Sequence, residues 1–254
     1  MIPIKSPREI DKMRVACGKA AEVLAKLEDL VEPGVTTGEI DAAAARFMKE
    51  AGCKSAFLGY RKFPGHICIS LNEEVVHGIG GARKIQYGDI VKMDVGVICE
   101  GWIGDTAVTV PCGVIDPAAE RLLQVTQRTL EEVVKMATDG RHLGDLSAFI
   151  EKEVVAAGYS VVREFVGHGV GRNLHEEPQI PNYGRAGTGP RLKSGMTLAI
   201  EPMVNLGHPA VKVRPDNWTV YTVDGSPSAH FEHTVLVRKD QSEVLTWRGK
   251  TLLN

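Results

Sequence analysis

The chain offers no apolar run near the ~20 residues that a membrane-spanning helix requires, so no such helix is expected. Its opening stretch, Met1 to Met13, carries Lys5, Arg8, Glu9, Asp11 and Lys12 and lacks the apolar centre of a secretion signal. Neither charge is in excess: 30 Lys and Arg stand against 32 Asp and Glu, a formal net charge of −2. Nucleic acid and membrane are therefore not expected as partners. No Cys-x-x-Cys pair occurs, and the five cysteines (Cys17, Cys53, Cys68, Cys99 and Cys112) are an odd number spread along the chain. The expectation is reduced thiols in a cytoplasmic protein, with neither a disulfide framework nor a zinc knuckle. No linker or low-complexity tract divides the sequence. What is present is an ordinary hydrophobic share, 43% of 254 residues, which excludes global disorder and suits one large domain or two small ones.

Helix signals are clear in four places. Ser6-Pro7-Arg8-Glu9 has the form of a capping box with proline at the first helical position, and predicts a helix to about Leu30. Thr36-Thr37-Gly38-Glu39 predicts a second, from about Thr37 to Ala51, stopped by Gly52. Asp116-Pro117 opens a third, to about Ala137, and a fourth runs from about Leu143 to Ala157 before Gly158. Four Val- and Ile-rich segments predict strands: Ile90 to Val97, Thr106 to Val110, Thr197 to Ile200 and Thr234 to Val237.

The order helix, helix, strands therefore occurs twice, and the landmarks recur at fixed offsets. Gly34, Gly38, Ile40 and Gly52 are matched 106 residues later by Gly140, Gly144, Leu146 and Gly158. Gly88 and Asp94 are matched by Gly195 and Glu201 at an offset of 107, and Asp105, Val108 and Val110 by Glu232, Val235 and Val237 at an offset of 127. The growing offset predicts an insertion in the second half, around Asn205 to Gly225. A duplicated half-domain sets Asp94 opposite Glu201 and Asp105 opposite Glu232 across a pseudo-twofold axis.

Four acids converging in apolar surroundings would repel one another and lose hydration. A single acid in a strand is best read as exposed or paired with arginine; four in symmetric register are best read as metal ligands. Their charge equals that of two divalent ions, as in hydrolases whose ions lie roughly 3.5–4 Å apart. Oxygen ligands with one imidazole suit Co, Mn, Fe(II) or Zn without selecting among them. The imidazole candidate is His168, in Gly167-His168-Gly169-Val170-Gly171, where missing side chains predict close approach of a metal or substrate. His175-Glu176-Glu177-Pro178 follows, and is neither the zincin motif nor its inverse. His77 stands between Val76 and Gly78. His66, His142, His208, His230 and His233 have plainer surroundings, and His233 is expected on the strand face away from Glu232.

Asp94, Asp105, His168, Glu201 and Glu232, with Gly-His-Gly-Val-Gly and His-Glu-Glu-Pro, closely resemble the type I methionine aminopeptidases of the wider pita-bread peptidases, which include aminopeptidase P and prolidase. The likeness runs from the first helix to Val237. It implies an α+β pita-bread fold: a single catalytic domain of two pseudo-symmetric halves, about 1–112 and 113–254, around a curved antiparallel sheet. It implies that Asp94 chelates one ion, that His168 and Glu201 hold the other, and that Asp105 and Glu232 bridge them. His77 would contact the peptide near the scissile nitrogen, His175 the scissile carbonyl oxygen, and Glu201 would shuttle a proton. Tyr60, Phe63, Cys68 and Trp218 are implied for the side-chain pocket. Relatives often carry Cys before the first active-site His, Pro shortly after it, and Phe before the second; this chain has Val76, Gly80 and Leu174. Those changes bear on the pocket rim and on loop rigidity.

The implied activity is removal of N-terminal methionine from new polypeptides whose second residue is small, by a monomer that contacts the ribosome transiently through its folded surface. Two other readings are a Pro-directed pita-bread aminopeptidase and a non-catalytic, ribosome-associated relative. The first usually carries an extra N-terminal domain, whereas about 90 residues precede Asp94; the second should have lost ligands, and all five are present.

Overall fold

The computed structural model describes residues 2–247. Helix α1 spans Pro7–Glu28 and α2 Thr37–Glu50; α3 spans Pro117–Lys135 and α4 Leu143–Ala156. The strands in chain order are β1 (Lys54–Ser55), β2 (Cys68–Leu71), β3 (Ile90–Cys99), β4 (Trp102–Pro111), β5 (Ser160–Val161), β6 (Val166–Gly169) and β7 (Glu176–Pro181). They continue with β8 (Thr197–Ile200), β9 (Met203–Asn205), β10 (Val211–Val213), β11 (Val220–Thr222), β12 (Ser228–His230), β13 (Glu232–Leu236) and β14 (Glu243–Val244).

The helices start where their caps lie. In α1, Glu9 accepts from the Ser6 backbone N–H and hydroxyl, both at 2.9 Å, and Met13, Ala16, Cys17, Ala20, Leu24 and Leu27 form one buried stripe at helical spacing. In α2, Thr36 and Glu39 cap reciprocally. Each helix ends one or two residues before its expected limit, in a single tight C-cap turn.

The main sheet is antiparallel, in the order β1-β3-β4-β13-β8-β6-β7, with β2 also on β3 and β14 on β13. Helix α1 packs against β3 and β4. Its backbone at Ala16 lies so close to Gly104 that any side chain there would collide, which puts the helix on the face opposite Asp105. Strands β3 and β4 run longer than expected because Glu100 and Gly101, both at positive φ (49° and 77°), make a two-residue hairpin turn between Cys99 and Trp102. Strand β13 begins at Glu232, two residues early, and ends at Leu236. Lys92, fully buried, ties β3 to β12 by donating to the carbonyls of Asn72 (2.9 Å) and Ser228 (2.7 Å).

The segment expected as an insertion holds the β10–β11 hairpin. It is stitched to the loop before His77 by Val75 N–H to the Val220 carbonyl (2.7 Å) and Val220 N–H to the Val76 carbonyl (3.0 Å). Trp218 precedes β11 and faces the cavity described below.

One expectation is corrected. Cys53 and Cys99 form a disulfide, with Cα atoms 4.8 Å apart, while Cys17, Cys68 and Cys112 are free and buried. Pairing of β1 with β3 sets Lys54 opposite Ile98 and so brings Cys53 to Cys99; spacing along the chain carries no sign of that strand pairing.

Candidate metal centre

Strand register assembles the acids. Residues directly paired on antiparallel strands share a face, and Cys68, Asp94, Ala107 and Glu232 form one row across β2, β3, β4 and β13. Asp105 is two residues from Ala107 and on the same face. Across the sheet, His168 on β6 pairs with Ala199 on β8, and Glu201 lies two residues past Ala199. The alanines between the ligands leave the acids room to meet. Within the β3–β4 hairpin, Asp105 pairs with Gly96 and Asp94 with Ala107.

The geometry is that of a buried cluster of carboxylates around one imidazole. Atoms of Asp105, His168 and Glu232 lie within 4.8 Å of one another, all buried. His168 Nε2 is 3.5 Å from Glu201 Oε1 and 3.8 Å from Asp105 Oδ2. Asp94 Oδ1, Asp105 Oδ1 and Glu232 Oε1 are buried with no hydrogen-bond partner among the described residues. Such orphans are costly. Burial, then mutual repulsion, pushes Asp94, Glu201 and Glu232 well above the usual carboxylate range; burial pushes Asp105 up to about 7. Burial holds His168 neutral, down at about 3. Its Nδ1 sits 2.9 Å from the Gly169 carbonyl; as the donor there it leaves the Nε2 lone pair toward the acids. Orphaned anionic oxygens around one unprotonated imidazole nitrogen are the donor set a divalent cation takes.

The glycines around His168 serve a different purpose from the one expected. A side chain at Gly167 would meet the Ala199 carbonyl, one at Gly169 the Glu177 carbonyl, and one at Gly171 the Glu176 carboxylate. The space goes to neighbouring backbone and to Glu176, not to a ligand. Glu176 accepts from Lys5 (2.6 Å) and from the Arg172 and Asn173 N–H groups (3.0 and 3.3 Å). It thereby holds the turn that carries His175.

Over the acids lies a cavity of about 270 Å³, lined by all five ligand candidates, by His77 and His175, and by the four expected pocket residues Tyr60, Phe63, Cys68 and Trp218. Phe57, Phe165 and Met203 also line it and were not foreseen; each sits in a loop or short strand without periodicity. Trp218 meets Phe63 edge-on at 5.1 Å and His77 at 6.2 Å. His77, at φ 59°, is pushed down to about 4 by burial and by the charge of His175. Burial and the nearby Arg61 lower His175. Val76 and Leu174 line the cavity, whereas Gly80 packs on α2. The Gly38 N–H donates to the Gly81 carbonyl (2.8 Å) and the Gly81 N–H to Thr37 Oγ1 (2.9 Å), so the loop is fastened without proline.

Among the plainer histidines, His230 belongs to the site. Fully buried and held down at about 3 by burial, it brings Nε2 to 3.4 Å from Glu201 Oε2. Its position two residues before Glu232 was the available signal. His233 bonds Thr246 Oγ1 (2.9 Å), His66 pairs with Asp41 (2.8 Å), and His142 caps α4; all three are structural.

Residues 11–239 match the metallopeptidase family M24. The chain is similar to methionine aminopeptidase 1 of Bacillus subtilis, at 48% identity over 97% of this chain and 99% of the relative. It is 46% identical to methionine aminopeptidase of Escherichia coli K12, over 97% and 94%. Among solved structures, methionine aminopeptidase of Thermotoga maritima superposes with a TM-score of 0.96 at 46% identity, over 98% of this chain and all (100%) of that one. Prolidase of Pyrococcus furiosus, at 22% identity and TM-score 0.80, shares the fold over 97% of this chain and 66% of its own.

Proposed function

The chain belongs to the metallopeptidase family M24, and from that premise we propose that it is a methionine aminopeptidase, hydrolysing the first peptide bond of polypeptides that begin with methionine and carry a small second residue. It depends on divalent metal. The observation that carries this reading is the set of orphaned, buried carboxylate oxygens around a neutral His168 at the floor of a cavity walled in part by Phe57, Phe63, Phe165 and Trp218.

In our assignment two ions are held. Asp94 would help hold one, His168 and Glu201 the other, and Asp105 and Glu232 would serve both; four negative charges would balance two divalent cations. When bound, such ions polarise a carbonyl and make water nucleophilic at neutral pH. The protein groups do the rest. Phe57, Phe63, Cys68 and Trp218 enclose the methionine side chain and exclude water. His77 holds the peptide beside the scissile nitrogen. His175 donates a hydrogen bond to the oxygen that becomes negative. Glu201 accepts a proton at its carboxylate and delivers it to the leaving amine, with His230 beside it.

No helix among the described residues is long and apolar enough to cross a membrane. The proposed substrates are N termini of newly made polypeptides, met in the cytoplasm by a monomer in brief contact with the ribosome. We also read the domain as a duplication, supported by the shared positive φ of Gly34 and Gly140 (95° and 86°), Gly52 and Gly158 (73° and 89°), and Gly88 and Gly195 (95° and 92°).

The test is release of methionine from Met-Ala-x peptides by metal-free chain reconstituted with Mn, Co, Fe(II) or Zn, beside x-Pro peptides. Methionine release with at least one metal is expected. No turnover with any of them removes the reading, and preference for x-Pro replaces it with the prolidase type.

A further inference from the structure

Tyr60, read from the sequence as a wall of the pocket, makes a polar contact that a wall does not need. Its hydroxyl lies 2.8 Å from His175 Nδ1, and its ring stacks on the imidazole at 5.4 Å between centroids and 27° between planes. The same imidazole lies 4.3 Å from the His168 ring, centroid to centroid. Tyr60 is held in this pose by a short 3-10 turn, Tyr60–Lys62, in which Arg61 and Lys62 both take positive φ (47° and 74°). Two successive left-handed side-chain-bearing residues are costly and persist where the surroundings impose them. The turn is closed by the Phe63 N–H donating to the Tyr60 carbonyl (2.8 Å) and the Gly59 N–H to the Phe63 carbonyl (2.9 Å).

We propose that Tyr60 is a positioning residue that fixes the tautomer of His175, its phenol O–H donating to Nδ1 so that the ring proton sits on Nε2 and is offered to the cavity. The direction follows from acid–base chemistry. A phenol, with pKa about 10, is a far better donor than a neutral imidazole N–H, and the in-plane lone pair of an imidazole nitrogen is a better acceptor than a phenol oxygen. The Arg61 guanidinium lies over the Tyr60 ring, 5.4 Å from its centroid, and helps hold the ring in place. A neutral imidazole has one proton for two nitrogens. Satisfying Nδ1 with a donor therefore commits the proton to Nε2, where an oxyanion needs it. The inference rests on the oxyanion role proposed for His175, and the test separates the two.

The full chain, labelled with 15N at histidine, reports the tautomer through long-range 15N–1H correlations, with His175 assigned by its loss in His175→Asn. In the unsubstituted protein, metal-free and metal-loaded alike, a protonated Nε2 and a bare, hydrogen-bonded Nδ1 are expected. In Tyr60→Phe the Nδ1–H form should grow, and kcat for Met-Ala-x should fall about tenfold with KM within about twofold. A protonated Nδ1 in the unsubstituted protein overturns the proposal, whether or not the variant folds. So does an unchanged tautomer pattern in Tyr60→Phe, an unchanged kcat, or a loss confined to KM, the mark of a pocket wall. If His175→Asn keeps full kcat, the oxyanion role fails while the spectra still decide what Tyr60 does.

Discussion

Asp105 sits in β4 with Oδ1 unpartnered among the described residues and its carboxyl pushed up to about 7 by burial. A carboxyl raised in the fold favours its neutral form there, so it contributes stability below the unfolded value near 3.8 and loses it as pH rises through about 7. Replacing Asp105 by Asn removes that penalty. In the metal-free chain, Asp105→Asn should raise the Tm at pH 8 by about 2–6 °C, since 1 kcal/mol moves Tm by about 2–4 °C at this size, while in the metal-reconstituted chain it should lower Met-Ala-x turnover by at least about a hundredfold. A lower Tm with retained turnover would contradict the assignment. Legibility at this scale divides by signal. Asp94, Asp105, Glu201 and Glu232 were readable because acids interrupting apolar runs in matched positions demand a reason. His230 was not singled out: its place two residues before Glu232 was a hint, but its weight rests on the 3.4 Å approach to Glu201, a contact between β12 and the residue after β8. The His168 glycines were readable as special but misassigned, since sequence cannot tell a ligand from a neighbouring strand as the occupant of the space.

The β10–β11 hairpin is the element that closes the cavity: it places Trp218 against Phe63 and His77 and leaves the acids to the main sheet. Trp218→Ala should therefore raise KM for Met-Ala-x about tenfold or more, loosen discrimination against other first residues, and leave metal content unchanged, as kinetics and elemental analysis would show. Loss of metal in this variant would mean that the hairpin supports the ligands instead. All four helices were legible because caps and stops are local: Ser6 with Glu9, Thr36 with Glu39, Pro117, and glycine after α2 and α4. Strands β1, β5 and β9 to β12, of two or three residues each, were not. Too short to show a period of two, they are defined by their pairing partners, which are distant in sequence for all but the β10–β11 hairpin.

Across the whole molecule, the fold is a frame that brings acids from β3, β4 and β13, with Glu201 just after β8, into one buried cluster. Acids interrupting apolar runs made this visible, whereas the Cys53–Cys99 disulfide, a matter of strand pairing between β1 and β3, left no mark in the spacing. With Asp94, Glu201 and Glu232 raised as Asp105 is, the metal-free chain should lose Tm steadily from pH 5 to pH 8. Saturating Mn should restore it, most at the alkaline end, because binding draws on the deprotonated form. A metal-free Tm that rises over that range would show the acids are not buried together. The most direct measurement of the central claim is the number of divalent ions bound per chain, by elemental analysis after equilibrium dialysis against Mn, for the unsubstituted protein and for Asp105→Asn and Glu232→Gln. The account predicts two ions for the first and fewer than two for folded forms of the others. An unsubstituted chain that stays ion-free under conditions where it releases methionine, or variants that keep both ions, would contradict it.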